Sequence, residues 1–437
     1  MFDSQQHPSV FFSNYPAVRV KRGYMVQLGK MLQPEAYSES DVPVKYARAA
    51  NVTSGTSDPA DLKSMWINPT TFPHYQLAPG DLLVVEGGDI GKSMIWGRKD
   101  PAIFQNSINR VRPRLRNDNR YLAYVLDTYK RCGWLDAVCN KSTFAHLTDE
   151  KLSNLEVPLP EPSRQRAIAD HLDRETARID ALIEKKTRLI ELLEEKRQAL
   201  ITQVVTKGLD PNVPMKDSGI EWIGQVPAHW DVTALKYAAN PLDRDSFTDG
   251  DWIESPYITD HGVRLIQTGN VKAGWFRDKG SRFVSEETFQ ALRCTEVRPG
   301  DILICRLGDP VGRACRAPRL AEKMITSVDN VIMRVRKDYC EDYFVNLLSS
   351  SAFLNFMEAS CRGATRDRVS REMLGQTRVP IPRPDEQKRI SEYLNEISQR
   401  IWKLQDCSRE SINLLRERRS ALITAAVTGQ LDIGEDA

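Results

Sequence analysis

Ala199-Leu200-Ile201-Thr202-Gln203-Val204-Val205-Thr206 returns 222 residues later as Ala421-Leu422-Ile423-Thr424-Ala425-Ala426-Val427-Thr428. Working back from this ending, Val157-Pro158-Leu159-Pro160 returns as Val379-Pro380-Ile381-Pro382 at the same offset. From there to Asp210 and Asp432 the two stretches align without a gap and share about twenty of 54 residues. Further upstream, Pro79-Gly80-Asp81 returns as Pro299-Gly300-Asp301, and Ala50-Asn51-Val52 as Gly269-Asn270-Val271. A period near 220 residues is far longer than a solenoid unit of about 20–50. The chain is therefore a duplicated domain-plus-helix, suited to doing one job at two places.

Residues 163–206 and 385–428 read as long helices, capped by Ser163 and Asp385 and stopped near Gly208 and Gly429. A 4-3 spacing selects Ile168, Leu172, Glu175, Ile179, Leu182, Lys186, Leu189, Leu193, Lys196 and Leu200. The same positions in the second helix run from Ile390, Leu394, Ile397 and Ile401 through Leu404 and Ser408 to Leu422. This is a coiled-coil pattern with polar interruptions near its middle. Each helix would be about 65 Å long, too long for a single small domain to cover. Packing the two helices against each other is the economical solution, and the linker 207–229 favours an antiparallel pair within one chain over a parallel pair between chains.

The globular parts read as α+β. Apolar runs follow each Pro-Gly turn, at Leu82–Val85 and Ile302–Cys305, and further strands are expected at 108–111 and 331–335. Helices are expected at 119–130 and 342–357. The whole chain divides into a first strand-rich domain (1–160), a first spacer helix (161–208), a linker (209–229), a second strand-rich domain (230–382), a second spacer helix (383–430) and a tail (431–437). The expected architecture is two strand-rich domains separated by two long antiparallel coiled-coil helices, related by an internal pseudo-twofold.

The 437 residues are 41% hydrophobic and 27% charged, with a net charge of +2. No apolar run approaches the length that spans a bilayer, and the beginning of the sequence reads without a secretory signal. Eight scattered cysteines contain no C-x-x-C pair, as expected of thiols in a reducing cytoplasm. Charge is unevenly spread. Residues 98–131 hold nine Lys/Arg against three acids, and residues 262–323 twelve against seven. A single charge run is usually a solvated face, but such patches also suit a polyanion.

Two motifs are decoys. Gly87-Gly88-Asp89-Ile90-Gly91-Lys92-Ser93 is one residue short of a phosphate loop. Its repeat, Gly308-Asp309-Pro310-Val311-Gly312-Arg313-Ala314, has no Lys-Ser/Thr pair. A tight glycine turn presenting Lys92 or Arg313 beside a strand accounts for both better. Asn68-Pro69-Thr70-Thr71 fails the amino-methyltransferase pattern at its third and fourth positions. No repeated acid pair or metal-ligand spacing suggests catalysis. The remaining repeated motif is Ser142-Thr143-x-x-x-Leu147-Thr148-x-Glu150 against Ala364-Thr365-x-x-x-Val369-Ser370-x-Glu372. Lys141 flanks one copy, and Arg362, Arg366 and Arg368 the other. Thr148 and Ser370 are placed to cap short helices.

With these motifs in hand, the chain resembles the specificity subunits of type I restriction–modification systems. The resemblance covers nearly the whole length. It rests on the domain–helix–domain–helix order, the proline-rich helix starts with Gln165 and Gln387, the linker Asp217-Ser218-Gly219-Ile220-Glu221-Trp222-Ile223-Gly224, and the two helix endings. It implies a chain that is not itself an enzyme, whose two target-recognition domains read the halves of a split, asymmetric site in double-stranded DNA. It implies helices that dock two modification (methyltransferase) subunits, joined by restriction (translocase/nuclease) subunits. It implies no cofactor here, with S-adenosylmethionine, ATP and Mg on the partners, and no membrane partner. The residues expected at DNA are Lys92, Arg112, Lys141, Ser142 and Thr143 in the first half, and Arg306, Arg313, Thr365, Arg366 and Arg368 in the second. Asn51 and Asn270 could serve bases or hold a turn. The rival expectations are a specificity subunit of a fused restriction–methyltransferase system and a coiled-coil protein-interaction scaffold.

Overall fold

The computed structural model describes residues 14–53, 55–57, 61–139, 146–308, 310–361 and 368–433, with backbone only at 55–57. The chain forms two compact units. The first comprises Met1–Lys186 with Arg409–Ala437, the second Thr187–Ser408. Each unit thus holds one strand-rich part and one half of each long helix.

In the first unit the main sheet is ordered Tyr24–Leu28, Ile108–Pro113, Leu82–Val85, Ser93–Trp96, with Gly55–Ser57 added at the edge. In the second unit the order is Phe247–Asp249, Asn330–Met333, Ile302–Cys305, Ala314–Arg316. These are the same four strands in the same order. A second sheet ends in a parallel pair in both units: Val42–Ala47 with Ile103–Phe104, and Val263–Ile266 with Met324–Thr326. The duplication read from the sequence is therefore a duplication of fold.

The strand after each Pro-Gly-Asp is a continuous apolar run because both of its faces are covered. Side chains alternate along a strand. Leu82 and Val84 accordingly enter one core cluster, and Leu83 and Val85 another. Ile302 and Ile304 are likewise separated from Leu303 and Cys305. Each such burial contributes about 1.5–3 kcal/mol. The preceding turn needs its glycine, since Gly80 and Gly300 have φ +93° and +98°. The aspartates close the turn, accepting from Ala78 N at 2.9 Å and Arg298 N at 2.8 Å.

The long helices run Pro162–Lys207 and Pro384–Val427. Ser163 and Asp385 lie one residue inside them rather than at their caps. Proline takes the first helical position because it lacks only an N–H that would be orphaned there. Gly208 and Gly429, at φ +80° and +76°, follow the two ends. Within each unit the helix segments pack antiparallel. The first core contains Ile168 and Leu172 from one helix with Ile423 and Val427 from the other. The second contains Ile201 and Val205 with Ile390 and Leu394.

The seam differs from the expected one at alternate positions. Leu182, Leu189 and Leu404 are 41–55% exposed. The inward positions lie one residue later, at Thr176, Ile183, Ile190 and Arg197, and in the repeat at Ser398, Gln405, Ile412 and Arg419. Both helices shift alike, so the heptad spacing holds while its phase moves. Polar residues at the seam find partners: Gln405 Nε2 donates to Ile190 O at 3.2 Å, and Arg419 meets Asp180 at 3.0 Å.

The repeated glutamines fix each helix to its domain. Gln165 is fully buried. It donates to Pro160 O and Asn117 Oδ1, both at 2.7 Å, and accepts from Asp118 N at 3.0 Å and Tyr24 Oη at 3.1 Å. Gln387, also fully buried, donates to Pro382 O at 2.9 Å and accepts from Cys340 N at 3.0 Å. Tyr121 and Tyr343 complete the junction, donating to Pro158 O and Pro380 O. The helix expected at 119–130 is Asn119–Arg131. Its counterpart is broken into Glu341–Leu348 and Ser351–Ser360, because Ser350 caps a new start by accepting from Phe353 N. The eight cysteines form no disulfide among the described residues. No helix among those residues is long and apolar enough to cross a membrane.

Candidate nucleic-acid interface

The phosphate-loop look-alike is the tip of a β-hairpin. Leu82–Val85 pairs antiparallel with Ser93–Trp96, so a strand follows the glycine turn where a phosphate loop requires a helix. The repeat builds the same hairpin from Ile302–Cys305 and Ala314–Arg316. Gly91 N donates to Val85 O at 3.0 Å, and Gly312 N to Cys305 O at 2.8 Å. Gly91 and Gly312 take φ +72° and +86° and leave no room for a side chain, being overlaid by Leu135 and Met357 respectively. Asn68 likewise makes only a turn, accepting from Thr70 N at 3.0 Å.

A second segment returns to each hairpin tip. Leu147 N donates to Glu86 O at 2.8 Å, and Val369 N to Arg306 O at 3.1 Å. Isolated bridges join Gly87 to His146 and Leu307 to Arg368. Thr148 and Ser370 then cap the short helices, accepting from Lys151 N and Met373 N. Two unrelated-looking stretches of sequence thus form one repeated frame: a hairpin tip beside a returning loop.

Of the residues expected at DNA, Lys141, Ser142, Thr143, Thr365 and Arg366 lie outside the described residues. Lys92 stands beside the hairpin turn, 3.6 Å from Asp89 and partly exposed. Asp89 is also bound by Lys130, and the two cations hold its carboxyl below the usual range, the Lys130 hydrogen bond most strongly. Arg368 is 45% exposed and pairs with Asp329 at 3.0 Å.

The other three serve the frame itself. Arg112 grips Asp81 with two nitrogens, at 2.6 and 2.8 Å. Its repeat, Arg334, grips Asp301 at 3.1 Å, so the Pro-Gly-Asp motif carries an internal ion pair in both units. Arg306 is buried and donates to Val328 O and Val369 O beside Asp249. Arg313, expected to be presented beside the strand, turns inward instead. It donates to Val271 O, Leu307 O, Pro310 O and Thr268 O. A guanidinium with five fixed donors saturates a loop of carbonyls more fully than any other side chain.

Asn51 and Asn270 hold turns. Asn51 accepts from Arg48 N and donates to Asp61 O. Asn270 accepts from Gln267 N and donates to Arg277 O and Lys279 O.

The basic stretches also look different in three dimensions. In residues 98–131, Arg98, Arg112, Arg120, Lys130 and Arg131 all pair with carboxylates, and Arg110 is buried over Phe104. Lys99, Arg114 and Arg116 remain exposed. In the second unit the basic stretch 262–323 includes an exposed loop with clustered cations. The loop shaped by Asn270 exposes Trp275, Arg277, Lys279 and Arg282. The sequence signal was present in Lys272-Ala273-Gly274-Trp275-Phe276-Arg277-Asp278-Lys279-Gly280-Ser281-Arg282, where aromatic and basic residues interleave as nucleic-acid-binding loops do. Among the described residues no group of three His, Cys, Asp or Glu side chains could hold a metal ion.

Comparison with known proteins bears on what this frame is. Residues 51–192 match the family model described as the type I restriction modification DNA specificity domain. The chain is 24% identical over 327 residues to the EcoBI specificity subunit of Escherichia coli, covering 72% of this chain and 66% of that one. It is 20% identical over 359 residues to the MjaVIII specificity subunit of Methanocaldococcus jannaschii, covering 81% and 79%. In fold it is similar to a chain from a study of assembly and conformational transition in a type I R-M system, with a TM-score of 0.71 at 16% identity over 96% of this chain and 99% of that one. The HsdS subunit from Thermoanaerobacter tengcongensis gives 0.57 at 16% identity, over 96% and 98%. The duplicated sheets, the paired long helices and these likenesses agree: residues 51–192 match a type I restriction modification DNA specificity domain, and the chain as a whole is similar to specificity subunits of type I restriction–modification systems, spanning just under two thirds of the EcoBI subunit.

Proposed function

We propose that this chain is the non-catalytic DNA-recognition subunit of a type I restriction–modification complex, and that its two units read the two halves of a split, asymmetric site. The observation that carries this reading is the repeated frame with unlike side chains. Each unit presents a hairpin tip and a returning loop built on the same hydrogen bonds, but the residues at its edge differ in size and charge. Two readers on one scaffold are what an asymmetric site requires. Partly exposed Lys92 and exposed Lys99, Arg114 and Arg116 in the first unit, and exposed Arg277, Lys279 and Arg282 in the second, supply phosphate contacts that set position without sequence. Arg368 borders its frame and takes a base or phosphate edge, and the same role is proposed, from their place in the repeated sequence motif, for Lys141, Ser142, Thr143, Thr365 and Arg366. Arg112, Arg306 and Arg313 act by holding the frames in shape.

The paired helices set the separation of the half-sites and dock two modification subunits, which carry S-adenosylmethionine and methylate adenine. Restriction subunits with ATP and Mg join them, and the complex works in the cytoplasm. The test is a map of modified bases in cells carrying the modification gene, with and without this chain. Methyladenine at a split motif only when the chain is present is the expected result. An unchanged map with an active, bound modification subunit overturns the proposal.

A further inference from the structure

Position 146 in the first unit and position 368 in the second are the same place in the fold. Each forms the isolated bridge to its hairpin tip, and each precedes the residue whose N–H bonds the tip. Each side chain is about half exposed, at 50% for His146 and 45% for Arg368. Each has a carboxylate beside it, within hydrogen-bond distance only at Arg368. Glu86 Oε1 lies 3.9 Å from His146 Nδ1, and Asp329 Oδ1 lies 3.0 Å from Arg368. An accessible side chain held in one orientation by a second residue is a pre-organised reader.

The charges around the two positions differ: acids outnumber the one base, Lys151, at His146, whereas Asp249 and Asp329 balance Arg306 and Arg371 around Arg368. Beside His146 stand Glu86 and Asp149. Beside Arg368 stand Arg306 and Arg371, both directed at Asp249. The His146 ring also sits close to Gly87, where an added Cβ would come within 2.9 Å of Cε1 and Nδ1. A neutral imidazole carries one donor and one acceptor nitrogen, so its exposed edge can accept.

We propose that positions 146 and 368 determine specificity, Arg368 donating to a guanine edge in one half-site and His146 accepting from the exocyclic amino group of adenine or cytosine in the other. Arginine forks onto guanine O6 and N7, whereas the amino groups of adenine and cytosine are the donors of the major groove. The acidic surroundings in the first unit favour a donor edge, and in the second the Arg368 guanidinium itself favours an acceptor edge. This inference rests on the DNA-reading function proposed above.

The test is the same methylation map, made with the full chain carrying His146→Arg, Arg368→Gln or Arg368→Lys. Arg368→Gln is expected to lose or replace one guanine of one half-site, with discrimination there falling roughly 10- to 100-fold, while the other half-site is unchanged. His146→Arg is expected to shift one position of the opposite half-site towards guanine. Arg368→Lys keeps the charge and the Asp329 partner, so loss of guanine selection with that variant separates base reading from a phosphate contact. Gly87→Ala displaces the His146 ring without altering its chemistry and should relax the first half-site alone. The inference is overturned if all variants keep the wild-type motif, whether at full or uniformly reduced methylation. A wild-type chain that directs no methylation overturns instead the function on which the inference rests.

Discussion

The two hairpin tips have one backbone and two chemistries. In the first unit the tip carries Glu86 against His146, and burial raises the Glu86 carboxyl above its usual range while His146 pulls it back. In the second unit the same positions are Arg306 and Arg368, and the carboxylates are supplied from elsewhere, by Asp249 and Asp329. What stays fixed is everything that bonds backbone to backbone: the glycine turn, the returning N–H, the capped helix. What changes is the set of side chains at the edge. A duplicated domain can therefore alter what it contacts without altering how it folds, because the shared part of the frame is held by main-chain hydrogen bonds and apolar packing, to which the second unit adds its arginine clamps.

The sharpest challenge to this equivalence is the Pro-Gly-Asp ion pair. Arg334 is 9% exposed and Asp301 6%, and Asp301→Ala leaves the buried guanidinium only Asp243 at 3.5 Å and the carbonyls of Asp245 and Glu296, so it should cost about 3 kcal/mol. Arg112 is 32% exposed. Water can replace its partner, and Asp81→Ala should cost less than half as much. Denaturant unfolding of the two variants checks the difference, and equal losses would mean that the two turns are stabilised in some other way.

A smaller effect is expected at the helix junctions. Gln165 makes four side-chain hydrogen bonds and Gln387 two. Each stranded buried partner costs about 1–3 kcal/mol, so Gln165→Ala should destabilise its unit more than Gln387→Ala. Hydrogen exchange at Asp118 N and Cys340 N would read the two junctions separately.

The second unit also carries a titration that distinguishes it. Burial raises the Asp251 carboxyl to about 6, against a hydrogen bond from Thr295 N that favours its charged form. A raised carboxyl binds its proton more tightly in the folded state. Its stabilising contribution is therefore present below pH 4 and is lost as pH rises towards 6. Asp251→Asn should flatten the stability profile across that window, and an unaltered slope in thermal melts would assign the dependence to other groups.

The smallest difference lies on the helices. Arg197 pairs with Glu194 of its own helix at 2.6 Å and reaches the facing helix over the Trp402 ring at 5.9 Å, where its repeat Arg419 reaches across to Asp180. Both contacts are partly exposed, and alanine at either position should cost only about 0.5–1 kcal/mol. High salt should weaken the Arg419 contact more, because an aromatic face is screened less than an exposed carboxylate.

The long-range plan was legible from repetition and periodicity. Identical spacings in two stretches of one chain imply identical folds, and the strands after Pro79-Gly80-Asp81 and Pro299-Gly300-Asp301 stand where apolar alternation put them. The seam was legible only in part. Leucine at 182, 189 and 404 drew the apolar stripe one residue early, since hydrophobicity marks what can be buried and not what a neighbouring helix covers. The arginines were least legible. Arg306 and Arg313 have the composition of DNA contacts but the positions of loop clamps, and only the carbonyls that converge on them reveal it.

The sequence by itself determined the duplication, the two long helices, the strand-rich character of both halves and the family resemblance. These follow from local patterns whose physical causes, side-chain periodicity and turn chemistry, act over a few residues. The tertiary structure alone decided which cations remain exposed, which residues form the helix seam, and that positions 146 and 368 share one place beside a hairpin tip. Those depend on groups distant in the chain, and only folding brings a carboxylate, a carbonyl or an opposing helix within reach.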